Sequence, residues 1–237
     1  MLLYHGTDTR NVKRILAEGI RPRPADEEGN WQTDPSKEGF VYLSSAFAPF
    51  YAMNSANTPK FQRGVNPVIF EVDVQALEEK NLFPDEDFLE QRLVAKDGRV
   101  VPPSWSSDIH ASQDQWQASL DGLGTVGVYG RVPPEALTRY AVLDMGFDGK
   151  QMTKCPNLYD VLTAQKQAGP TWTRVSLARY GQERDELHNL VAFIFGDEMF
   201  HGKPQKGYRD SIKSFRRLVG GERQVGVTVH QIRQPPL

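Results

Sequence analysis

The sequence predicts an α+β fold, with a strand-and-helix core over residues 1–148 and a mainly helical extension over 149–237. Three observations carry this prediction. Short runs rich in Val, Ile, Phe and Tyr recur through the first part, bounded by Gly, Pro and Asp in the manner of strands. Segments with apolar residues three and four apart interrupt them. After Gly149 the helical spacing takes over: Leu158, Val161 and Leu162 share one face, Leu187, Leu190, Val191 and Ile194 a second, and Tyr208, Ile212, Phe215 and Val219 a third.

Each element has a local reason. Leu2-Leu3-Tyr4 reads as a short buried strand that ends at His5-Gly6-Thr7. Asp8 or Thr9 is suited to cap the helix after it, in which Val12, Ile15 and Leu16 recur and which Gly19 stops. Residues 21–38 are polar, contain Pro22, Pro24, Gly29 and Pro35, and read as a long binding-type loop. Phe40-Val41-Tyr42-Leu43 is a second strand, and Ala46 to Asn54 a short helix. Pro67 to Val74 is the clearest strand. A polar stretch from Asp97 to Asp121 follows, then strands over Thr125–Val132 and Tyr140–Leu143, joined by the Pro133-Pro134 turn. Val225 to Ile232 is a candidate last strand. A domain boundary fits near residues 147–155.

Composition narrows the function classes. The chain has 237 residues, 39% of them hydrophobic, which suffices for a core. Cys155 is the only cysteine, so no disulfide can form within the chain. No apolar run approaches the roughly 20 residues that span a bilayer, and the start lacks the basic and apolar regions of a signal peptide. A cytoplasmic protein without membrane contact is the expectation. The net charge of −2 is unevenly spread. Six acids face Lys80 between Gln75 and Glu90, whereas eight bases face Asp210 and Glu222 between His201 and Leu237. That basic tail is either a footprint for phosphates or a solvated face.

Two constellations carry chemistry. In Tyr4-His5-Gly6-Thr7, an imidazole at a strand end can hydrogen-bond a sugar hydroxyl. Gly6 has no side chain to block a flat ligand, so its backbone can clasp a carboxamide. A lone histidine at a strand end is more often structural. In Gly39-Phe40-Val41-Tyr42-Leu43-Ser44-Ser45 a tyrosine ends a strand, and Tyr51 comes on the next helix. Two such rings can sandwich an aromatic ligand, for roughly 0.5–1.5 kcal/mol beyond burial. Either ring alone reads as an ordinary core residue. The five histidines show no metal-ligand spacing.

Taken together, these residues and their order resemble the ADP-ribosyltransferase superfamily over residues 2–145, in its His-Tyr-Glu branch of diphtheria-type toxins and poly(ADP-ribose) polymerases. The opening is also similar to the RNA 2′-phosphotransferases. The resemblance implies a split antiparallel sheet with helices and an NAD site. In that site His5 orients a ribose hydroxyl, Gly6 holds the nicotinamide carboxamide, and Tyr42 and Tyr51 stack around nicotinamide. Thr7 and Ser44 are candidate contacts at the pocket edge, and Arg21 and Arg23 candidates for adenosine or pyrophosphate. The family glutamate falls close to Thr125, which is not an acid. Asp121 ranks first as its substitute, followed by Glu86 or Glu90 from the acidic cluster, with no equivalent acid as the remaining alternative. Glu135 reads as a turn residue.

The implied activity is transfer of ADP-ribose from NAD, used as substrate without a metal, to a macromolecule. RNA or DNA is slightly favoured over protein, from the basic tail and from the segment Ser104–Gln117 with its Trp105 and Trp116. Those tryptophans suit either base stacking or anchorage to the core. A toxin or anti-phage effector with an antitoxin or inhibitor partner fits such a chain. The alternatives are an NAD-dependent RNA 2′-phosphotransferase and a non-catalytic module that binds NAD or ADP-ribose.

Overall fold

The run Pro67-Val68-Ile69-Phe70-Glu71-Val72-Asp73 is apolar on both faces, so it belongs inside a sheet covered on both sides, and it lies there. A computed structural model describes residues 1–24, 37–56, 65–89, 93–94, 100–101, 107–144, 191, 194–195, 199–200, 203–204 and 226–232. The strands are β1 (Leu2–Asp8), β2 (Phe40–Ser44), β3 (Pro67–Asp73), β4 (Leu82–Pro84), β5 (Leu93–Val94), β6 (Val100–Val101), β7 (Thr125–Tyr129), β8 (Leu137–Asp144), β9 (Met199–Phe200), β10 (Lys203–Pro204) and β11 (Gly226–Gln231). The helices are α1 (Val12–Glu18), α2 (Ala48–Ala56), α3 (Glu86–Leu89) and α4 (Trp116–Leu123). Seven strands form one sheet in the order β11-β8-β3-β1-β2-β7-β4, and the pairings within it are antiparallel. The α+β class is therefore what the chain adopts. No helix among the described residues is long and apolar enough to cross a membrane.

The strand period of two divides the core. Tyr4, Phe40, Ile69, Phe83 and Ala141 face one side, where α2, Phe88, Leu123 and Val191, Ile194 and Phe195 cover them. Leu3, Val41, Leu43, Val68, Phe70, Val126 and Val128 face the other, against Ile15 and Ile20. Each buried Val, Leu, Ile or Phe among them contributes about 1.5–3 kcal/mol.

Several local expectations change. β1 does not end at His5: it runs to Asp8, because β3 pairs with it through Asp8 opposite Pro67. His5, Gly6 and Thr7 are strand residues. Neither Asp8 nor Thr9 caps α1, whose N-cap is Asn11 without a side-chain bond. Asp8 instead accepts two side-chain hydrogen bonds from Arg10, at 2.8 Å each, and one from Ser55 at 2.5 Å. Thr9 accepts from the Asn66 N–H. Gly19 does stop α1, at φ 80°. The polar stretch before Asp121 contains α4, closed by Gly124 in the left-handed conformation at φ 75°. β7 ends at Tyr129, ahead of Gly130 at φ 84°.

The expected last strand is present as β11, hydrogen-bonded to β8, so residues 226–231 complete the sheet of the first part. Val191, Ile194 and Phe195 join the same core. The helical faces expected around Leu158 and around Tyr208–Val219 lie outside the described residues, as does Cys155.

A buried ion pair ties β3 to β8. Arg139 Nε and Nη2 donate to the two carboxylate oxygens of Glu71 at 2.8 and 2.7 Å. Thr138 donates to the same carboxylate at 2.6 Å, and the guanidinium lies 4.8 Å from the Phe195 ring centroid. Glu71 is 3% exposed, so removal of its partner leaves a charge with no water to solvate it. Arg139→Ala is expected to destabilise the chain by about 3–5 kcal/mol, whereas Glu71→Met with Arg139→Met is expected to recover most of that loss. Denaturant unfolding of the two variants beside the parent checks this.

Candidate functional site

The site begins where the sheet comes apart. β1 and β2 are paired at Tyr4 opposite Ser44, while β1 stays bonded to β3 along its whole length. Beyond that pair the His5 ring takes up the gap: its Nδ1 lies 3.1 Å from the Tyr42 carbonyl oxygen. A carbonyl only accepts, so Nδ1 carries the hydrogen in this arrangement. Burial lowers the His5 pKa from 6.5, and the carbonyl bond, which raises it, does not offset this. The ring is neutral at pH 7. Its Nε2 then offers a lone pair, the arrangement that accepts a hydrogen bond from a hydroxyl.

Gly6 has a reason in the packing of α2. A Cβ there would sit 2.1 Å from the Ala48 carbonyl oxygen, 2.5 Å from the Ala52 nitrogen and 2.9 Å from the Tyr51 Cβ. The space where its Cβ would stand is filled by α2. This contact brings the root of Tyr51 against β1. The Asp8 carboxylate and Arg10 pin the far end of α2: Arg10 Nη2 donates to the Ser55 carbonyl at 2.9 Å. Burial alone would raise the Asp8 pKa, but the Arg10 and Ser55 bonds outweigh it and hold it below 3.8.

Tyr42 and Tyr51 both pack against the same core face. The Tyr42 hydroxyl hydrogen-bonds to the Glu86 carboxylate. The Lys37 N–H donates to both of them, at 3.3 Å each. Glu86 opens α3 and stands next to Asp85, which is 8% exposed. The Asp85 carboxylate accepts from the Asp87 N–H at 2.9 Å and from the Thr125 hydroxyl. Its own N–H donates to Ser119 Oγ at 2.9 Å, and Ser119 donates to the Thr125 carbonyl at 2.9 Å. Burial, then the charges of Glu86 and Asp87, push Asp85 up to about 8. Burial, with Glu86 and Asp85 nearby, raises the phenol pKa of Tyr42, and burial with Asp85, Asp87 and Glu86 raises that of Tyr51, so both stay protonated.

The remaining candidates sort by geometry. Ser44 is not a pocket-edge residue. Its hydroxyl donates to the Gly124 carbonyl at 3.0 Å and accepts from the Ala46 and Phe47 N–H groups at 3.1 and 2.7 Å, which uses its whole capacity. Thr7 is buried and accepts from the Asn11 amide at 3.0 Å. Arg21 is exposed and paired with Glu18 at 3.2 Å, so it is a surface ion pair rather than part of the site.

Asp121 is exposed on α4. Ser119 and Leu123 turn inward, and a residue two positions from each lies on the opposite side of the helix. The first-ranked acid is therefore displaced, and Glu86 is the acid that meets Tyr42. Glu90 lies outside the described residues, as does Trp105. Glu135 is an exposed turn residue, as expected.

Asp85 was not singled out in the sequence, although the run Pro84-Asp85-Glu86-Asp87 carries its signal: an Asp two residues ahead of the N–H that it caps. Among the described residues no group of three His, Cys, Asp or Glu is placed to hold a metal ion. No protein-family model matches the chain, and no curated protein matches it in sequence.

The buried Asp85 gives a signed pH dependence. A carboxyl with a raised folded-state pKa stabilises the fold below its unfolded value, and that stability is lost as pH rises toward the folded value. Asp85→Asn is neutral throughout. Its melting temperature relative to the parent is expected to rise from about pH 4 to about pH 8 and to stay level above that. Thermal unfolding across that range checks it.

Proposed function

We propose that the chain is an ADP-ribosyltransferase that binds NAD at the opening between β1 and β2 and transfers ADP-ribose to a macromolecular acceptor, with nucleic acid favoured over protein. One observation carries this reading. An imidazole from β1, phenols from β2 and α2, and a carboxylate from α3 gather where the central sheet splits. The split and the antiparallel pairing also agree with the sheet that the resemblance implies.

The roles follow from chemistry. His5, neutral and with Nδ1 held by the Tyr42 carbonyl, accepts a ribose hydroxyl at Nε2. Tyr42 and Tyr51 provide faces for the flat pyridinium ring. Cleavage breaks the bond between ribose C1′ and the nicotinamide nitrogen. Its electron pair leaves with nicotinamide, which departs neutral because the ring entered as a cation. The ribose gains oxocarbenium character, as in glycoside hydrolysis. The acceptor atom bonds to C1′ and loses a proton to solvent. Glu86 supplies the anionic charge that this transition state needs, and a preorganised carboxylate of this kind contributes several kcal/mol.

Support for a nucleic-acid acceptor comes from the rings beside Tyr42. Phe40 lies 6.4 Å from Tyr42, 5.2 Å from Tyr129 and 5.6 Å from His110. Tyr129 is 49% exposed, and His110 meets it edge-on at 5.4 Å. Exposed rings of this kind suit base stacking.

Incubation with NAD and RNA, DNA or protein, followed by measurement of released nicotinamide, tests the reading. Glu86→Gln is expected to lower kcat about 10²–10³-fold, with NAD affinity within about threefold, because the amide keeps the shape and loses only the charge. His5→Ala and Tyr42→Ala are each expected to weaken NAD binding about tenfold, the loss of one hydrogen bond or one stacked ring. Calorimetric binding without nicotinamide release would replace transfer by binding alone. Absence of binding would end the NAD reading.

A further inference from the structure

We propose that Asp85 is the positioning residue of this site: it locks the first turn of α3 onto β7 and so aims the Glu86 carboxylate at Tyr42. The inference rests on the reading of Glu86 given above. Its basis is the set of bonds that Asp85 makes with three elements at once. Its carboxylate takes the Asp87 N–H of α3 and the Thr125 hydroxyl of β7. Its N–H takes Ser119 Oγ of α4, and its carbonyl accepts from the Phe88 and Leu89 N–H groups at 3.1 and 3.3 Å. Glu86 is the next residue and has no freedom of backbone once those bonds are made.

Helix α3 has four residues, too few for propensity to hold it, and its buried Phe88 and Leu89 seat its far end on the core while Asp85 holds its first turn. The Asp85 clamp is what fixes its direction. The groups facing Asp85 are Glu86 and Asp87 on α3, Tyr42 on β2 and Tyr51 on α2, with uncharged Thr125 and Ser119 on β7 and α4. Among the described residues no Lys, Arg or His side chain pairs with it. In this setting the carboxyl keeps its proton at neutral pH and leaves Glu86 as the negative charge nearest Tyr42. As pH rises through about 8, Asp85 ionises beside Glu86. Two adjacent anions then repel, and the half-buried Glu86 is the one that can swing out to water.

The test is the pH profile of nicotinamide release by the full chain, with a second reading on the protein without NAD. The parent is expected to lose about tenfold in kcat by pH 9, the slope of a single ionisation. Asp85→Asn cannot ionise, so its profile is expected to lack that alkaline limb whatever its height at pH 7. Thr125→Val removes a donor that favours the ionised form and is expected to move the limb to higher pH. A purely structural role for Asp85 would change the rate without moving the limb.

The reading without NAD is tyrosine difference absorption against pH, with Tyr42→Phe as the blank. A step is expected in the parent and none in Asp85→Asn, because the Tyr42–Glu86 bond breaks only when Asp85 ionises. A step with no nicotinamide release defeats the NAD reading and leaves the positioning role standing. An unchanged alkaline limb in Asp85→Asn and Thr125→Val, with release intact, overturns the positioning role alone.

Discussion

The approach of α2 to the bare Cα of Gly6 is the constraint from which the rest of the site follows. A helix backbone reaches a strand this closely only where no Cβ stands between them, and any side chain would meet the Ala48 carbonyl and the Ala52 nitrogen. Ala48 and Ala52 are small on the facing side, so the two surfaces fit each other. With α2 seated on β1, Tyr51 is fixed at its root. The Arg10–Asp8–Ser55 bonds close the other end of the helix. Strand β2 leads into α2 through Ser44, whose hydroxyl holds the turn. The strand therefore carries Tyr42, and the helix Tyr51, against the same face of the core.

Much of this frame was legible in the sequence, and the reasons are local. The strand Pro67–Asp73, the stop at Gly19, the helix that bears Tyr51 and the strand Gly226–Gln231 all have periodicity or backbone chemistry that a short window reveals. The helix α4 was harder to see, because Gln117, Ser119 and Asp121 dilute its apolar face and its partners are β4 and β7. The strand β4 is three residues long and is defined by pairing with β7 rather than by its own composition. His5, Tyr42 and Tyr51 were singled out from their order along the chain and the resemblance that it carries, and the contact of α2 with Gly6, which depends on tertiary packing, was not legible there.

The acid was the least legible part, for a physical reason. Sequence distance placed Asp121 nearest to Thr125, but in a helix residues two positions apart point to opposite sides, so with Ser119 and Leu123 buried Asp121 faces water. Glu86 lies far from Thr125 in sequence and meets Tyr42 because β4 pairs with β7 and delivers α3 next to it. Ser44 was misread for a similar reason. A hydroxyl after a strand suits a ligand and a turn equally well, and only the tertiary partners, here the Gly124 carbonyl, decide between them.

One row of residues across the sheet joins these points. Arg139, Glu71, Tyr4, Ser44 and Thr125 stand opposite one another on consecutive strands, and paired residues project to the same face. Polar groups recur along a buried line, and each is satisfied by a named partner: Arg139 for Glu71, the Gly124 carbonyl for Ser44, and Asp85 for Thr125. Buried polar groups without partners would cost several kcal/mol in total, so the row demands a fixed arrangement of its neighbours. The fixed arrangement runs from Phe195, which stacks on Tyr4 at 5.3 Å, to the first turn of α3. Residues late in the chain are thus bonded into the same row that ends at the acidic cluster. Phe195 covers the Arg139 end of the row and, with Val191 and Ile194, belongs to the core of that face.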